Sequence, residues 1–317
     1  MHTSTSFRAI RASLIPFFLP AALAAQSIGG AEYAVRRDSL AARIGSGIVV
    51  AFGAPAPTGI ARAGQLPAFR YLTGFLEPDA ALMLVVRDGR ARGTLYTQPR
   101  DPRRALYDGF PPDSTTVARE TGLAARSIDA LRPALDSLAG SGLTVYALRD
   151  YRGSDYAETD SLTRGASFLR AFAQRHAGLV LRDAHPIVDS LRARKSPAEL
   201  ALLRRAIDVT VTAHREVMRT VRPGMWEYEV EALFSSAFRR TGGDGPAFGS
   251  IVGSGLNSTQ YHYETNNRRM LAGEVVVMDV GAGWSGYAAD VTRTIPVSGR
   301  FTPDQRVVYQ IVRDAQA

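Results

Sequence analysis

The chain has 317 residues, 45% of them hydrophobic and 21% charged, and it contains no cysteine. These figures exclude a disulfide-stapled scaffold, a cysteine-ligated zinc or iron–sulfur site and a thiol nucleophile, and the apolar–charged balance excludes a disordered or fibrous chain. The formal net charge is +8, but Lys195 is the only lysine among 38 basic residues, and the arginines are interleaved with acids rather than gathered into a stripe, which argues against a nucleic-acid partner.

At the N-terminus, Arg8 and Arg11 form a basic stretch without acids, residues 12–23 are apolar, and Ala22-Leu23-Ala24 is a small-residue cleavage pattern. Together they predict a signal peptide over residues 1–25 and export to a periplasm or the outside, with an uncleaved anchor as the alternative. The apolar stretch is too short to span a bilayer, and no other run of about 20 apolar residues follows. No stable membrane insertion is therefore expected after cleavage.

Residues 26–190 read as an α/β domain. Segments 47–52, 80–87, 93–97 and 143–148 have the apolar, β-branched character of strands, and Asp88-Gly89 is a hairpin-turn pair. Segments 127–138 and 156–176 read as helices. His176 and His185 stand alone in sequence and read as structural or exposed. A boundary is expected between residues 189 and 195. Beyond it Ser196-Pro197-Ala198-Glu199 predicts a sharp helix start, with serine as cap, proline in the first turn and glutamate closing a capping box. Leu200, Leu203, Ile207, Val211 and His214 follow at helical spacing and are expected to form the buried stripe, with His214 a satisfied core histidine. Pro223-Gly224 breaks the chain before a second helix over 226–240, which closes at Gly242-Gly243. Strands are expected over 249–252, 274–280 and 287–297. Thr302-Pro303-Asp304-Gln305 then opens another helix with a second capping-box pattern.

The two aspartates of this last region carry the chemistry. Two β-rich runs flank a glycine-punctuated turn, so a hairpin is the natural reading. A two-residue turn at Trp284-Ser285 would pair Gly283 with Gly286 and set Asp279 directly opposite Asp290, with Cβ atoms about 4.5–5.5 Å apart on a buried or cleft-lining face. Two ionised carboxylates at that distance repel, and desolvation adds to the cost. A shared proton would offset this. So would divalent cations, and the oxygen donors suit Mn²⁺, Co²⁺ or Zn²⁺ in a pair about 3.5–4 Å apart. In a third reading one aspartate faces solvent and only the other is buried. A register shift of one residue would separate the carboxylates altogether. Upstream, His262 lies in the polar, aromatic-flanked run Tyr261-His262-Tyr263-Glu264-Thr265-Asn266-Asn267. It reads either as an exposed loop histidine or as a group that positions substrate or shuttles protons. Gly283-Trp284-Ser285-Gly286-Tyr287 ends in tyrosine and so fails the G-x-S-x-G pattern of serine hydrolases.

At these residues the sequence resembles a known family. The run from Ile251 (IVGSGLNSTQYHYETN) through VVVMDVGAGWSGYAADVTRTIPVSGRFTPDQRVVY is similar to the aminopeptidase P (Xaa-Pro aminopeptidase) branch of the pita-bread metallopeptidases. His262, Tyr263 and Asn266 match the family's His-Tyr-x-x-Asn element, and the eleven-residue spacing of Asp279 and Asp290, followed by Thr-Arg-Thr, is the family's. Arg70-Tyr71-Leu72-Thr73-Gly74-Phe75 with Glu77-Pro78-Asp79-Ala80 resembles the creatinase-type N-terminal domain, and Arg194-Lys195-Ser196-Pro197-Ala198-Glu199 the entry into the catalytic domain. The similarity covers most of residues 45–317. It implies an α/β N-terminal domain (26–190) followed by an α+β pita-bread domain, of which residues 191–317 are the first half and the rest is truncated.

The resemblance further implies a metal-dependent hydrolase that removes an N-terminal residue preceding proline, acting on peptides with proline at the second position. Asp279 would ligate one of two divalent ions, Mn²⁺ foremost, with Co²⁺ or Zn²⁺ as alternatives. Asp290 would bridge both ions, and His262 would contact substrate near the scissile bond. The family's other three ligands, a histidine and two glutamates, come from the second half of the pita-bread domain. The expectation is therefore that residues 1–317 by themselves are inactive. A prolidase-like dipeptidase is a variant of this reading, and a non-catalytic pita-bread binding module is the alternative of a different class. Family members also assemble through the N-terminal domain, which leaves a homo-oligomer open.

Overall fold

A computed structural model of the chain describes residues 27–57, 64–148 and 164–317. The signal peptide expected over 1–25 lies outside the described residues, as does the first part of the helix expected over 156–176. The N-terminal part runs α1 (Gly30–Ile44), β1 (Gly47–Phe52), α2 (Pro67–Thr73), β2 (Ala81–Arg87), β3 (Arg90–Thr97), α3 (Pro102–Asp108), α4 (Ser114–Thr121), β4 (Ala124–Ser127), α5 (Leu131–Ala139), β5 (Val145–Leu148), α6 (Arg164–Arg175), β6 (Leu181–Asp183) and α7 (His185–Ala193). Its strands form one mixed sheet in the order β4-β3-β2-β1-β5-β6. Antiparallel β1, β2 and β3 are flanked by parallel neighbours.

All six residues of β1 are buried, because helices cover both faces of the sheet. Val49 and Ala51 pack with Leu40 of α1, Leu72 of α2 and Val188 of α7. The alternate residues Ile48, Val50 and Phe52 pack with Leu131 and Leu135 of α5 and Phe172 of α6. Asp88 and Gly89 have φ of 51° and 72° and close the β2–β3 hairpin, with Arg87 facing Arg90, as a type I′ turn requires. The strands not expected from sequence, β4 and β6, are short edge strands of mostly exposed residues. They carry no apolar alternation to read.

The second part comprises α8 (Pro197–Met218), α9 (Glu227–Arg240), β7 (Gly245–Pro246), β8 (Ile251–Ser254), β9 (Val275–Val280), β10 (Ala282–Trp284), β11 (Tyr287–Ala288), β12 (Val291–Pro296) and α10 (Pro303–Gln316). Two small sheets result, β12-β9-β8 and β11-β10-β7. The strand expected over 287–297 is thus broken at Ala289-Asp290, where the chain passes from one sheet to the other. Val276, Met278 and Val280 of β9 turn inward against Val209 and Ala213 of α8 and Phe234 and Phe238 of α9. Period-two alternation sends Val275, Val277 and Asp279 to the other face.

Both capping boxes form as expected, at Ser196/Glu199 and at Thr302/Gln305. The buried face of α8, however, is not the expected stripe. Leu200 and Ile207 are exposed, and Leu202, Ala206, Val209, Thr210, Ala213 and Val217 turn inward, joined from the expected set by His214 alone. Apolar residues stand on two adjacent stripes of this helix, and periodicity cannot choose between them. The inward stripe carries alanines and a threonine, which let the helix lie close against the strands beneath it.

A buried polar joint ties the two parts together. Ser196 Oγ, which caps α8 by accepting the Glu199 N–H at 3.2 Å, donates to Glu32 Oε1 of α1 at 2.7 Å. Arg36 of α1 reaches Glu32 at 2.5 Å and Glu199 at 3.4 Å, with its guanidinium 4.3 Å over the Tyr71 ring. Tyr287 of β11 donates its hydroxyl to the other Glu199 oxygen at 2.9 Å, and burial, reinforced by Glu199, pushes that phenol well above its ordinary range. Arg36 and Glu199 are 5% and 4% exposed. Removing one partner of such a pair strands the other, so Glu199→Ala is expected to lower unfolding stability by about 3 kcal/mol. Tyr287→Phe, which deletes one hydrogen bond, should cost about 1 kcal/mol. Urea unfolding of the two variants beside the parent checks both figures.

Candidate metal centre

The turn between the two aspartate-bearing segments is Ser285-Gly286. Their φ values are 48° and 77° and Trp284 pairs with Tyr287 across them, the geometry of a type I′ hairpin. The turn expected at Trp284-Ser285 would instead force a tryptophan into the left-handed region, where a bulky side chain is strained. The ladder is therefore displaced by two residues from the expected register. Asp279 stands opposite Thr292, not Asp290, and Val280 opposite Val291. A slip of two preserves the side-chain face that a slip of one would invert. Asp290 is thus the diagonal neighbour of Asp279, on the same side.

A close backbone crossing sets this diagonal. Gly281 links β9 to β10, and a Cβ there would stand 1.7 Å from the Ala289 carbonyl oxygen. On either side of the crossing, the Ala289 N–H donates to the Ala282 carbonyl at 3.0 Å and the Ala247 N–H to the Gly281 carbonyl at 2.8 Å. Only a residue without a side chain lets the two segments meet so closely.

Thr292 Oγ1 donates to Asp279 Oδ1 at 2.8 Å. Loss of hydration, then a hydrogen bond to Asp279 and repulsion from it, hold the Asp290 carboxyl above its ordinary value. The face they share is more open than expected, with Asp279 half-buried and Asp290 exposed. Two carboxylates in contact, one retaining a proton more firmly than usual, form a donor set that suits a hard divalent cation in place of that proton. Among the described residues no group of three or more histidine, cysteine, aspartate or glutamate side chains is gathered for a metal. Two carboxylates are fewer donors than the coordination sphere of a divalent ion requires.

His262 is exposed on the loop that follows β8. Tyr263 and Asn266, after it in the chain, are buried and do the anchoring. Asn266, at φ 45°, accepts the Val252 N–H at 2.9 Å and donates to the Ser250 carbonyl at 2.8 Å and to Glu231 at 2.9 Å. Val252 neighbours Ile251, which pairs with Asp279, so this loop is pinned along the strand beside the carboxylates. Tyr263 donates to Glu227 at 2.7 Å.

Sequence reasoning missed Glu227. It is fully buried at the start of α9 and also accepts the Ser254 N–H and hydroxyl, both at 2.7 Å, and the Arg268 N–H at 2.9 Å. An acidic residue in a helix's first turn is an ordinary helix-start signal, and it does not disclose that the carboxylate faces inward. His214 is buried as expected, its ring edge-on to Phe234 at 4.9 Å, but it is not fully satisfied, because the buried Nδ1 has no hydrogen-bond partner. His176 and His185 bond to Asp136 and Asp183, each at 2.7 Å.

Two family models match separate stretches of the chain. The family model for the aminopeptidase P N-terminal domain matches residues 33–146, and that for metallopeptidase family M24 matches residues 201–317. Over 294 residues the chain is 33% identical to the Xaa-Pro aminopeptidase of Escherichia coli strain K12, covering 90% of this chain and 66% of that protein. Among solved structures, proline aminopeptidase P II from Yersinia pestis aligns with a TM-score of 0.80 at 33% identity, over 91% of this chain and 67% of that one. E. coli aminopeptidase P with the inhibitor Pro-Leu aligns with a TM-score of 0.80 at 32% identity and the same coverage. The chain belongs to the aminopeptidase P family of M24 metallopeptidases. It shares with these relatives an α/β N-terminal domain followed by a pita-bread domain. It spans 66% of the E. coli protein's length and 55% of that of the Haemophilus influenzae Xaa-Pro aminopeptidase.

Two outcomes follow from this geometry. Gly281→Ala drives a methyl into the Ala289 carbonyl and is expected to cost about 3 kcal/mol or more, visible as a lowered thermal midpoint by circular dichroism. An acid whose folded pKa is raised holds its proton more tightly in the folded state, so stability is lost as pH rises from the unfolded aspartate value of about 3.9. Asp290→Asn does not titrate. It should therefore be more stable than the parent at neutral pH, with the gap closing below about pH 4, as followed by unfolding across a pH series.

Proposed function

We propose that the whole protein is a metal-dependent aminopeptidase that removes an N-terminal residue preceding proline, with Asp279 and Asp290 among the ligands of two divalent ions, Mn²⁺ foremost and Co²⁺ or Zn²⁺ as alternatives. The observation that carries the proposal is the contact between these two carboxylates on one face of the sheet. A pair of like charges held together has little use in a purely structural sheet and an immediate use around a cation. Thr292 donates to one oxygen of Asp279 and holds its carboxylate in place. His262, exposed on a loop pinned by Asn266 and Tyr263, would contact substrate in this reading. Bound divalent ions would lower the pKa of water and polarise the scissile carbonyl. Support for the substrate class comes from the relatives named Xaa-Pro aminopeptidase. The remaining ligands are expected from a segment corresponding to the rest of those relatives' length. Export is part of the same proposal and rests on Arg8, Arg11 and the Ala22-Leu23-Ala24 pattern.

The test compares residues 1–317 with a chain extended to the full length of the relatives, using peptides with proline or alanine at the second position and added Mn²⁺. Cleavage is expected only from the longer chain and only before proline. It should disappear with a chelator and fall by at least about a thousandfold in Asp279→Asn, as loss of a metal-held nucleophile entails. Turnover by residues 1–317 alone would overturn the shared-ligand reading.

A further inference from the structure

Helix α8 reaches both aspartate-bearing segments through two side chains one turn apart. Thr210 is fully buried. Its Oγ1 donates to the Ala206 carbonyl at 2.8 Å and accepts the Ala282 N–H at 2.9 Å. Four residues on, His214 is 4% exposed, and its Nε2 stands 2.9 Å from the Val291 carbonyl oxygen. A carbonyl oxygen only accepts, so Nε2 carries the hydrogen and Nδ1 is the bare nitrogen. That Nδ1 is buried with no hydrogen-bond partner, an arrangement that costs free energy and that a helix face selected for packing alone would avoid. Side chains at i and i+4 share a helix face. Here that face touches the backbone three residues after Asp279 and immediately after Asp290.

We infer that Thr210 and His214 are positioning residues for the cation site, holding at a fixed separation the two backbone segments whose carboxylates repel each other. This rests on the metal reading of Asp279 and Asp290 proposed above. The pair touches neither substrate nor ion and acts through Ala282 and Val291. The helix is anchored at its start by the Ser196/Glu199 capping box, and Phe234, edge-on to the imidazole, fixes the ring plane. The aspartates thus hang from a rigid element rather than from the hairpin alone.

The test uses the chain extended to the full length of the relatives and two readouts: Mn²⁺ titration followed by electron paramagnetic resonance, and hydrogen exchange of the metal-free protein. Thr210→Val and His214→Phe keep the volume and remove the hydrogen bonds. Each is expected to weaken Mn²⁺ binding about tenfold, the usual size of an outer-shell effect. Each should also speed exchange at residues 280–291 about tenfold relative to β8. Thr210→Ser and His214→Gln retain the bonding groups and should restore both readouts. Parent-like affinity and exchange in the first pair would overturn the inference. So would equal losses in all four variants tracking a lowered thermal midpoint, because that is the signature of core packing. Asp279→Asn and Asp290→Asn serve as controls. If the parent binds Mn²⁺ no better than they do, the metal reading fails, and exchange alone decides whether Thr210 and His214 fix these segments.

Discussion

Two acidic side chains cannot hold each other in place, since each raises the cost of ionising the other. Their contact in this protein is imposed by neutral backbone. Gly281 passes against Ala289 so closely that no side chain fits between them, and the I′ turn at Ser285-Gly286 fixes how many residues return before Asp290. The carboxylates arrive together as a consequence of chain path. The repulsion between them is therefore met in the folding of the strands.

The same hairpin is where the two domains meet. Tyr287, one residue past the turn, bonds to Glu199, and Glu199 in turn faces Arg36 of the N-terminal domain. A buried ionic cluster of this type adds little to stability against an apolar alternative of equal volume, but it strongly penalises the wrong partner or geometry. Its contribution here is orientation. The N-terminal domain meets the helix and the hairpin around the carboxylates through groups that tolerate only one arrangement.

What could be read from sequence depended on whether the signal was local. The buried strand of residues 47–52, the Asp88-Gly89 turn and both capping boxes were legible because each is set by a few adjacent residues. The register at the aspartates was misread by two, although the clue was present: type I′ turns favour glycine second, which selects Ser285-Gly286 over Trp284-Ser285. The two aspartates still share a face because strand faces repeat every two residues. The inward face of α8 was not legible, since Leu200 and Ile207 compete with an alanine-rich stripe and only the strands beneath decide. Glu227 was invisible for a similar reason. Its donors Ser254, at the end of β8, and Tyr263 and Arg268, on the loop after it, lie far along the chain, and their convergence is a tertiary fact.

Ser196 carries a mechanical consequence. One hydroxyl both terminates the helix and reaches across to Glu32. Any swing of the N-terminal domain away from the hairpin must therefore pull on the first turn of the helix and fray it. Relative movement of the two halves is geared to the integrity of the rod on which Thr210 and His214 ride, so loosening at the waist of the molecule would be felt at the aspartates without passing through the strands that bear them.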